Sequence, residues 1–329
     1  MGFLDKIFDL FRGNKSFQPE PLPIPQEDRA AAILVRLSYD VSSGIGPAIV
    51  AFQRHRGIAQ TGRLDERTLG LIADIESKLA AAPDGELRRW RITRYYVALE
   101  SDYPGERSVP VHDRSGEPIS TVSAAFFANM SLEGDGKLDD GRLLNVAGGR
   151  YVSVEPIGYE PVFRYYRTYV SRMLERGRQP KPSRYFGIEL SSDRSRVAFA
   201  QPFQLVGPDR IGVGYGIERA GIAKVPYRTV AADIGAYGTS DSRHRGTGGL
   251  VPIGTRAFVL ELVGSKLPDG TVHDGWVTVN DTGGGIFGAH FDLFTGVRRS
   301  DAFMTERAHI WFEGCEQRIE RDYELGLFD

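Results

Sequence analysis

Residues 276–296 read WVTVNDTGGGIFGAHFDLFTG. Alternating apolar residues carry one strand up to Asp281, glycines 283, 284, 285 and 288 open a turn, and a second run carries Asp292. Glycine tolerates positive φ and close backbone approach, so this loop lets the chain cross over and present both carboxylates toward one cleft. A psi-type β-barrel requires such crossings. A plain Gly-rich hairpin turn with two solvated acids would account for the glycines. It would not account for an acid pair set inside apolar strands, Asp292 standing between Phe291 and Leu293.

From about residue 90 onward the chain is β-rich. The runs YYVAL, PISTVSAAFF, RVAFAQPFQLV, YRTVAADI, RAFVLELV, WVTVND and AHIWF are aromatic and β-branched, with Gly and Pro between them. One mixed β domain over 90–329 is expected, with an amphipathic helix at 158–178 stopped by Gly177 and Pro180. Residues 29–82 predict a compact unit of three short helices, and Asp65, three residues before Thr68, can cap the third. Leu4, Ile7, Phe8 and Phe11 fall at i, i+3, i+4 and i+7, which predicts a short amphipathic helix over 1–13. Residues 14–28 carry prolines at 19, 21, 23 and 25 and read as an extended Pro-rich linker. The helix has nothing nearby in sequence to cover its stripe; its own protein body, a delivery apparatus and a membrane surface are the alternatives. The expected fold class is mainly β with α.

Composition excludes several functions. Forty-one basic side chains against 43 acidic give a net charge of −2, so no strongly basic domain is present to hold nucleic acid. The single cysteine, Cys315, rules out CxxC metal or redox motifs, and the six histidines contain no HExxH. His290-x-Asp292 and His273-Asp274 lack a third ligand at diagnostic spacing, so neither a metal nor a cofactor is expected. Gly212-x-Gly214-x-Gly216 imitates a dinucleotide fingerprint without a βαβ unit around it. Arg243, His244 and Arg245 form a small basic loop that either faces solvent or meets peptide-stem carboxylates. No run approaches the ~20 apolar residues that span a bilayer, and no basic n-region with a smooth apolar stretch marks a secretory signal.

The segment from Asp281 to Asp292 matches D-T-G-G-x-I-x-G-x-x-x-D without gaps. In this it resembles the triple-aspartate (3D) domain and the related membrane-bound lytic transglycosylase A family, both double-psi β-barrels. Upstream, Thr229-Val230-Ala231-Ala232-Asp233 resembles the family's "AVD" strand and Val251-Pro252-Ile253-Gly254-Thr255 its "IPLGT" strand, with an additional loop over 234–250 between them. His309-Ile310-Trp311-Phe312 resembles the strand that closes the barrel. Phe126 to Leu138, with Glu133, Gly134 and Asp135, is similar to the transglycosylase's "D-x-Q-G-S-G" groove segment, with Glu133 in place of Gln and Asp135 in place of Ser. Leu144-Asn145-Val146-Ala147-Gly148 follows as an "NFFSYAG"-like stretch. Within 29–82, Gly46 to Ile58, including Phe52-Gln53, and then Thr61-Gly62-Arg63-Leu64-Asp65 and Thr68-Leu69, resemble the second half of a peptidoglycan-binding domain.

The resemblance implies a lytic transglycosylase, a carbon–oxygen lyase that cleaves the MurNAc–GlcNAc β-1,4 bond and leaves 1,6-anhydroMurNAc ends. Asp292 takes the general acid/base role, with Asp281 in support, orienting the substrate or Asp292, or else capping the glycine turn. Asp233, Thr282, Gly284, Glu133 and Gly134 are the expected substrate contacts. The alternatives are a non-catalytic peptidoglycan-binding or assembly protein and a hydrolytic muramidase. The partner is the peptidoglycan glycan strand. The site of action would be the periplasm or cell wall, reached by a non-Sec route or as a phage or injection-system component.

Overall fold

A computed structural model describes residues 25–148, 150–207, 224–233, 251–283, 286, 288–297 and 307–315. The helix expected at 1–13, most of the linker, Gly284 and the 234–250 loop lie outside the described residues.

Three helices come first: α1 (Gln26–Arg36), α2 (Ile45–His55) and α3 (Glu66–Leu79). The first begins inside the stretch read as linker: Pro25 stands at its N-cap, and Glu27 and Asp28 place acids in the first turn, where the helix dipole favours them. Asp65 caps α3, its Oδ1 accepting the Thr68 N–H at 2.9 Å. Phe52 fills the centre between the helices, fully buried. Gln53 beside it is also buried; its Nε2 donates to Thr61 Oγ1, Arg63 O and Thr68 Oγ1, and its Oε1 accepts the Gly62 N–H. One side chain thus pins the whole α2–α3 connection.

The remaining elements are β1 (Arg88–Leu99), β2 (Arg107–His112), β3 (Pro118–Ser123), α4 (Ala124–Glu133), β4 (Asp135–Lys137), β5 (Leu143–Val146), β6 (Val152–Ser153), α5 (Pro156–Glu175), β7 (Ile188–Leu190), β8 (Val197–Ala200), β9 (Phe203–Val206), β10 (Thr229–Ala231), β11 (Arg256–Val259), β12 (Trp276–Asp281), β13 (His290–Val297) and β14 (Arg307–Phe312). The PISTVSAAFF run divides where a single strand was expected. Ser123 Oγ accepts the Phe126 N–H and caps α4, so AAFF is helical; a short apolar run does not by itself separate strand from buried helix.

Six strands close a barrel in the order β13–β10–β12–β11–β14–β1, with β1 pairing back onto β13. The β1–β13 and β10–β12 pairs are parallel and the other four antiparallel. This mixed, closed barrel is the double-psi architecture expected from the glycine crossover. Its interior holds Trp90, Ile92, Val230, Ala257, Val259, Val277, Val279, Phe291, Leu293 and Ile310. The alternate side chains of β11 and β14 point outward: Phe258, Leu260 and Trp311 join the core under the three helices. The helical unit and the barrel therefore share apolar contacts, which explains why RAFVLELV is apolar on both parities.

β1 is longer than the barrel needs. Its last residues, Ala98 and Leu99, pair with Gly136 and Lys137 of β4, which continues through β5 to β9. A further core of Phe126, Phe127, Met130, Tyr159, Val162 and Phe203 packs there, beneath α4 and α5. The functional residues lie where this region meets the barrel wall.

Candidate active site

Strand register gathers the acids. Asp292 on β13 is opposite Thr93 on β1 and opposite Ala231 on β10. Ala231 in turn is opposite Asp281 on β12. Thr93, Asp292, Ala231 and Asp281 form one row across four adjacent strands. Phe291 and Leu293 enter the barrel interior, so alternation turns Asp292 to the outer face. Asp281 needs a further device, because Val277 and Val279 set the inward parity of β12. The β10–β12 register shifts between Val230 and Ala231, leaving Asn280 as the extra residue and bringing Asp281 to the Ala231 row. A bulge of this kind re-aims one side chain next to a site.

Asp281 is 2% exposed. Its Oδ2 accepts the Tyr95 hydroxyl at 2.7 Å and lies 2.6 Å from Lys224 Nζ, and its Oδ1 accepts the Thr282 N–H. Lys224 Nζ also bonds Asp135 Oδ2 of β4 at 3.1 Å and sits over the rings of Tyr95 and Phe294, 4.7 and 5.7 Å from their centroids. Asp135 is completed by Asn145 Nδ2 at 2.8 Å. Burial works to lower the Lys224 ammonium, but the Asp135 and Asp281 carboxylates outweigh it and hold the group above its usual range. Burial, and then the Asp281 charge, push the Tyr95 hydroxyl well up, so it remains a donor.

Asp292 differs. It is half-buried, and its Oδ1 is enclosed without a hydrogen-bond partner. Burial raises its carboxyl to about 7; a hydrogen bond from Thr93 opposes the shift, the Asp281 charge adds to it, and Lys224 and Lys181 pull weakly the other way. Thr93 Oγ1 is also 2.7 Å from His290 Nε2. A hydroxyl has one proton, so with it directed at Asp292 the imidazole Nε2–H donates to Thr93. A carboxylic acid that stays protonated toward neutral pH, with an oxygen unengaged, can deliver a proton to a leaving group.

The other sequence-predicted residues are placed variously. Asp233 is buried at the end of β10, and its Oδ2 accepts the Gly288 N–H at 3.0 Å, fixing the glycine loop. Thr282 is buried, and its amide holds Asp281. Glu133 Oε2 accepts the Tyr96 N–H of β1, and Gly134 ends α4 at φ 89°, its carbonyl accepting from Val146 N and Asn145 Nδ2. Among the described residues no group of three or more His, Cys, Asp or Glu is placed to hold a metal ion. A cavity of about 340 Å³ between Pro110, His112, Ser153, Glu155 and Tyr159 belongs to the α5 side and includes none of the aspartates discussed above.

Sequence reasoning missed Thr93, Tyr95, Lys224 and the role of Asp135. Thr93 and Tyr95 share a parity on β1, which an alternating pattern shows without marking them as functional. Lys224 is a lone lysine in a loop, with no sequence signal at all.

Residues 249–303 match the model of the 3D domain family. No curated protein matches the chain. Among solved structures, Escherichia coli MltA with bound chitohexaose is similar at 17% identity and a TM-score of 0.39, covering 90% of this chain and 92% of that one. A membrane-bound lytic murein transglycosylase from Agrobacterium tumefaciens is similar at 14% identity and a TM-score of 0.40, covering 89% and 93%. The lytic transglycosylase LtgG of Burkholderia pseudomallei is similar at 16% identity and 0.33, covering 70% and 72%. The segment that matches the 3D domain family carries both Asp281 and Asp292.

Proposed function

We propose that this chain is a peptidoglycan lytic transglycosylase with Asp292 as its single general acid and base. The observation that supports the reading is the contrast within the acid row: Asp281 is enclosed in an ion pair, whereas Asp292 is half-buried, has an unengaged oxygen and is pushed up to about 7. Protonated Asp292 gives its proton to the glycosidic oxygen as the bond breaks through an oxocarbenium-like transition state. The same carboxylate then takes the proton of the muramic acid 6-hydroxyl as that oxygen attacks its own anomeric carbon. The product carries a 1,6-anhydro end, and Asp292 regains its proton. As an anion Asp281 favours the protonated form of Asp292; its own carboxyl is raised by burial, which Lys224 opposes.

Hydrolysis by an inverting pair requires a second carboxylate free to activate water. Asp281 is held by Lys224, Tyr95 and the Thr282 amide, which favours the internal nucleophile. Asp233, Thr282, Glu133 and Gly134 act in this reading by setting loop and strand positions. The helical unit over 29–82 binds peptidoglycan, and residues 1–13 engage a delivery apparatus that carries the protein to the cell wall.

Mass spectrometry of a digested sacculus tests this, because anhydro and hydrolysed ends differ by one water. Anhydro products from the native chain, and a loss of ~10²- to 10⁴-fold in rate for folded Asp292→Asn, are expected. Reducing-end products would establish a muramidase, and undiminished lysis by the variant would remove Asp292 from the chemistry.

A further inference from the structure

Two carboxyls at one level of a barrel wall, on strands separated only by β10, share protons unless something distinguishes them. Asp281 is the more enclosed of the two, so by burial alone it is the one to stay neutral. That would remove the Asp281 charge, which adds to burial in raising the Asp292 carboxyl, and so make Asp292 the stronger acid. Burial raises the Asp281 carboxyl, and Lys224 opposes that rise. Its Nζ lies 2.6 Å from Asp281 Oδ2 and is fixed there by a second carboxylate, Asp135 at 3.1 Å, and by the faces of Tyr95 and Phe294.

We propose that Lys224 is a positioning residue that decides which carboxyl of the pair carries the proton: it keeps Asp281 as the anion and thereby leaves the proton on Asp292. The inference rests on the lytic transglycosylase reading only for its consequence in turnover. The groups facing Asp292 are Thr93 and Tyr95 from β1, His290 from its own strand, Asp281 from β12, and the lysines Lys224 and Lys181 from the connecting segments. Of these, Asp281 raises the Asp292 carboxyl more than Lys224 lowers it. Removing the ammonium therefore has two opposed effects, and the larger is indirect. Asp281 takes up a proton, its repulsion vanishes, and Asp292 becomes the stronger acid. The proton moves from one carboxyl to the other, and no other bond changes.

Carboxyl carbon-13 NMR titration of the full chain reads both groups separately, and the alkaline limb of the lysis–pH profile reads the consequence. In the native protein Asp292 titrates last. In Lys224→Met its midpoint falls, Asp281 stays protonated into the neutral range, and the alkaline limb moves down by the same amount. Lys224→Arg keeps the native order. Should Lys224→Met fail to fold, the double variant Lys224→Met with Asp281→Asn lacks both charges and shows the same lowered Asp292 midpoint. Asp281→Asn alone, with the lysine retained, lowers it further. An Asp292 midpoint unchanged or raised in Lys224→Met overturns the inference, and a rate lowered equally at every pH assigns Lys224 a purely structural role. Failure of the enzymatic reading appears separately, as lysis that survives Asp292→Asn, and leaves the titration result standing.

Discussion

Asp292→Asn should make the protein more stable at alkaline pH while abolishing lysis. The Asp292 carboxyl sits at about 7 in the folded chain, against roughly 3.9 for an aspartate in an unfolded one. Between those values the folded state holds a proton that the unfolded state has lost. The stability that this carboxyl contributes is therefore fully present below about pH 4, falls as pH rises through the window, and is lost above about pH 7. Three units correspond to about 4 kcal/mol as an upper bound; the carboxyl is only half-buried, and screening by water brings the figure nearer 2 kcal/mol. Asparagine keeps the shape and cannot ionise, so the loss disappears. Urea unfolding followed by tryptophan fluorescence, with Trp90 fully buried inside the barrel, measures both proteins from pH 5 to 8. The variant should gain about 1 to 2 kcal/mol over the native chain between pH 5 and 8. Parallel pH curves, or a variant less stable at pH 8, would show that burial of this carboxyl does not govern its proton.

Three further substitutions address the framework. At Gly275, with φ +91°, an added Cβ meets Phe258 Cε2 at 2.6 Å and Val263 Cγ2 at 2.7 Å; Gly275→Ala should cost about 2 to 4 kcal/mol in thermal unfolding, and an unchanged midpoint would mean that the strand shifts freely. Gln53→Leu takes the side-chain partner from the Gly62 N–H and the Arg63 carbonyl, while the Thr61 and Thr68 hydroxyls keep Asp65, for a loss of about 2 to 3 kcal/mol. Near-native stability of that variant would place the loop under other control. A chain beginning at Pro83 uncovers Phe258, Leu260 and Trp311. It should bind a hydrophobic dye and melt earlier than the full chain, whereas an equal melting temperature would show that the barrel does not depend on the helices.

The parity of Asp292 was legible because strand alternation, with Phe291 and Leu293 turned inward, sets it locally. The Asp65 cap and the three helices were legible for the same reason, since capping and helical periodicity act over four residues. The extent of α1 was less so, because a proline at the helix boundary reads equally as linker. The AAFF turn of α4 was not, since buried helix and buried strand share an apolar composition.

What the sequence alone determined, then, is that two aspartates flank a crossover in a β-barrel and that Asp292 stands among apolar neighbours. Which acid holds the proton was decided only in three dimensions. A one-residue bulge at Asn280 moves Asp281 onto the Asp292 row, β1 brings Tyr95 to it from 186 residues away in the chain, and Lys224 arrives from a loop to pair with it and with Asp135. Proton affinity depends on burial and on charges within a few ångströms, and those distances are set by strand register and chain return, which no local pattern encodes.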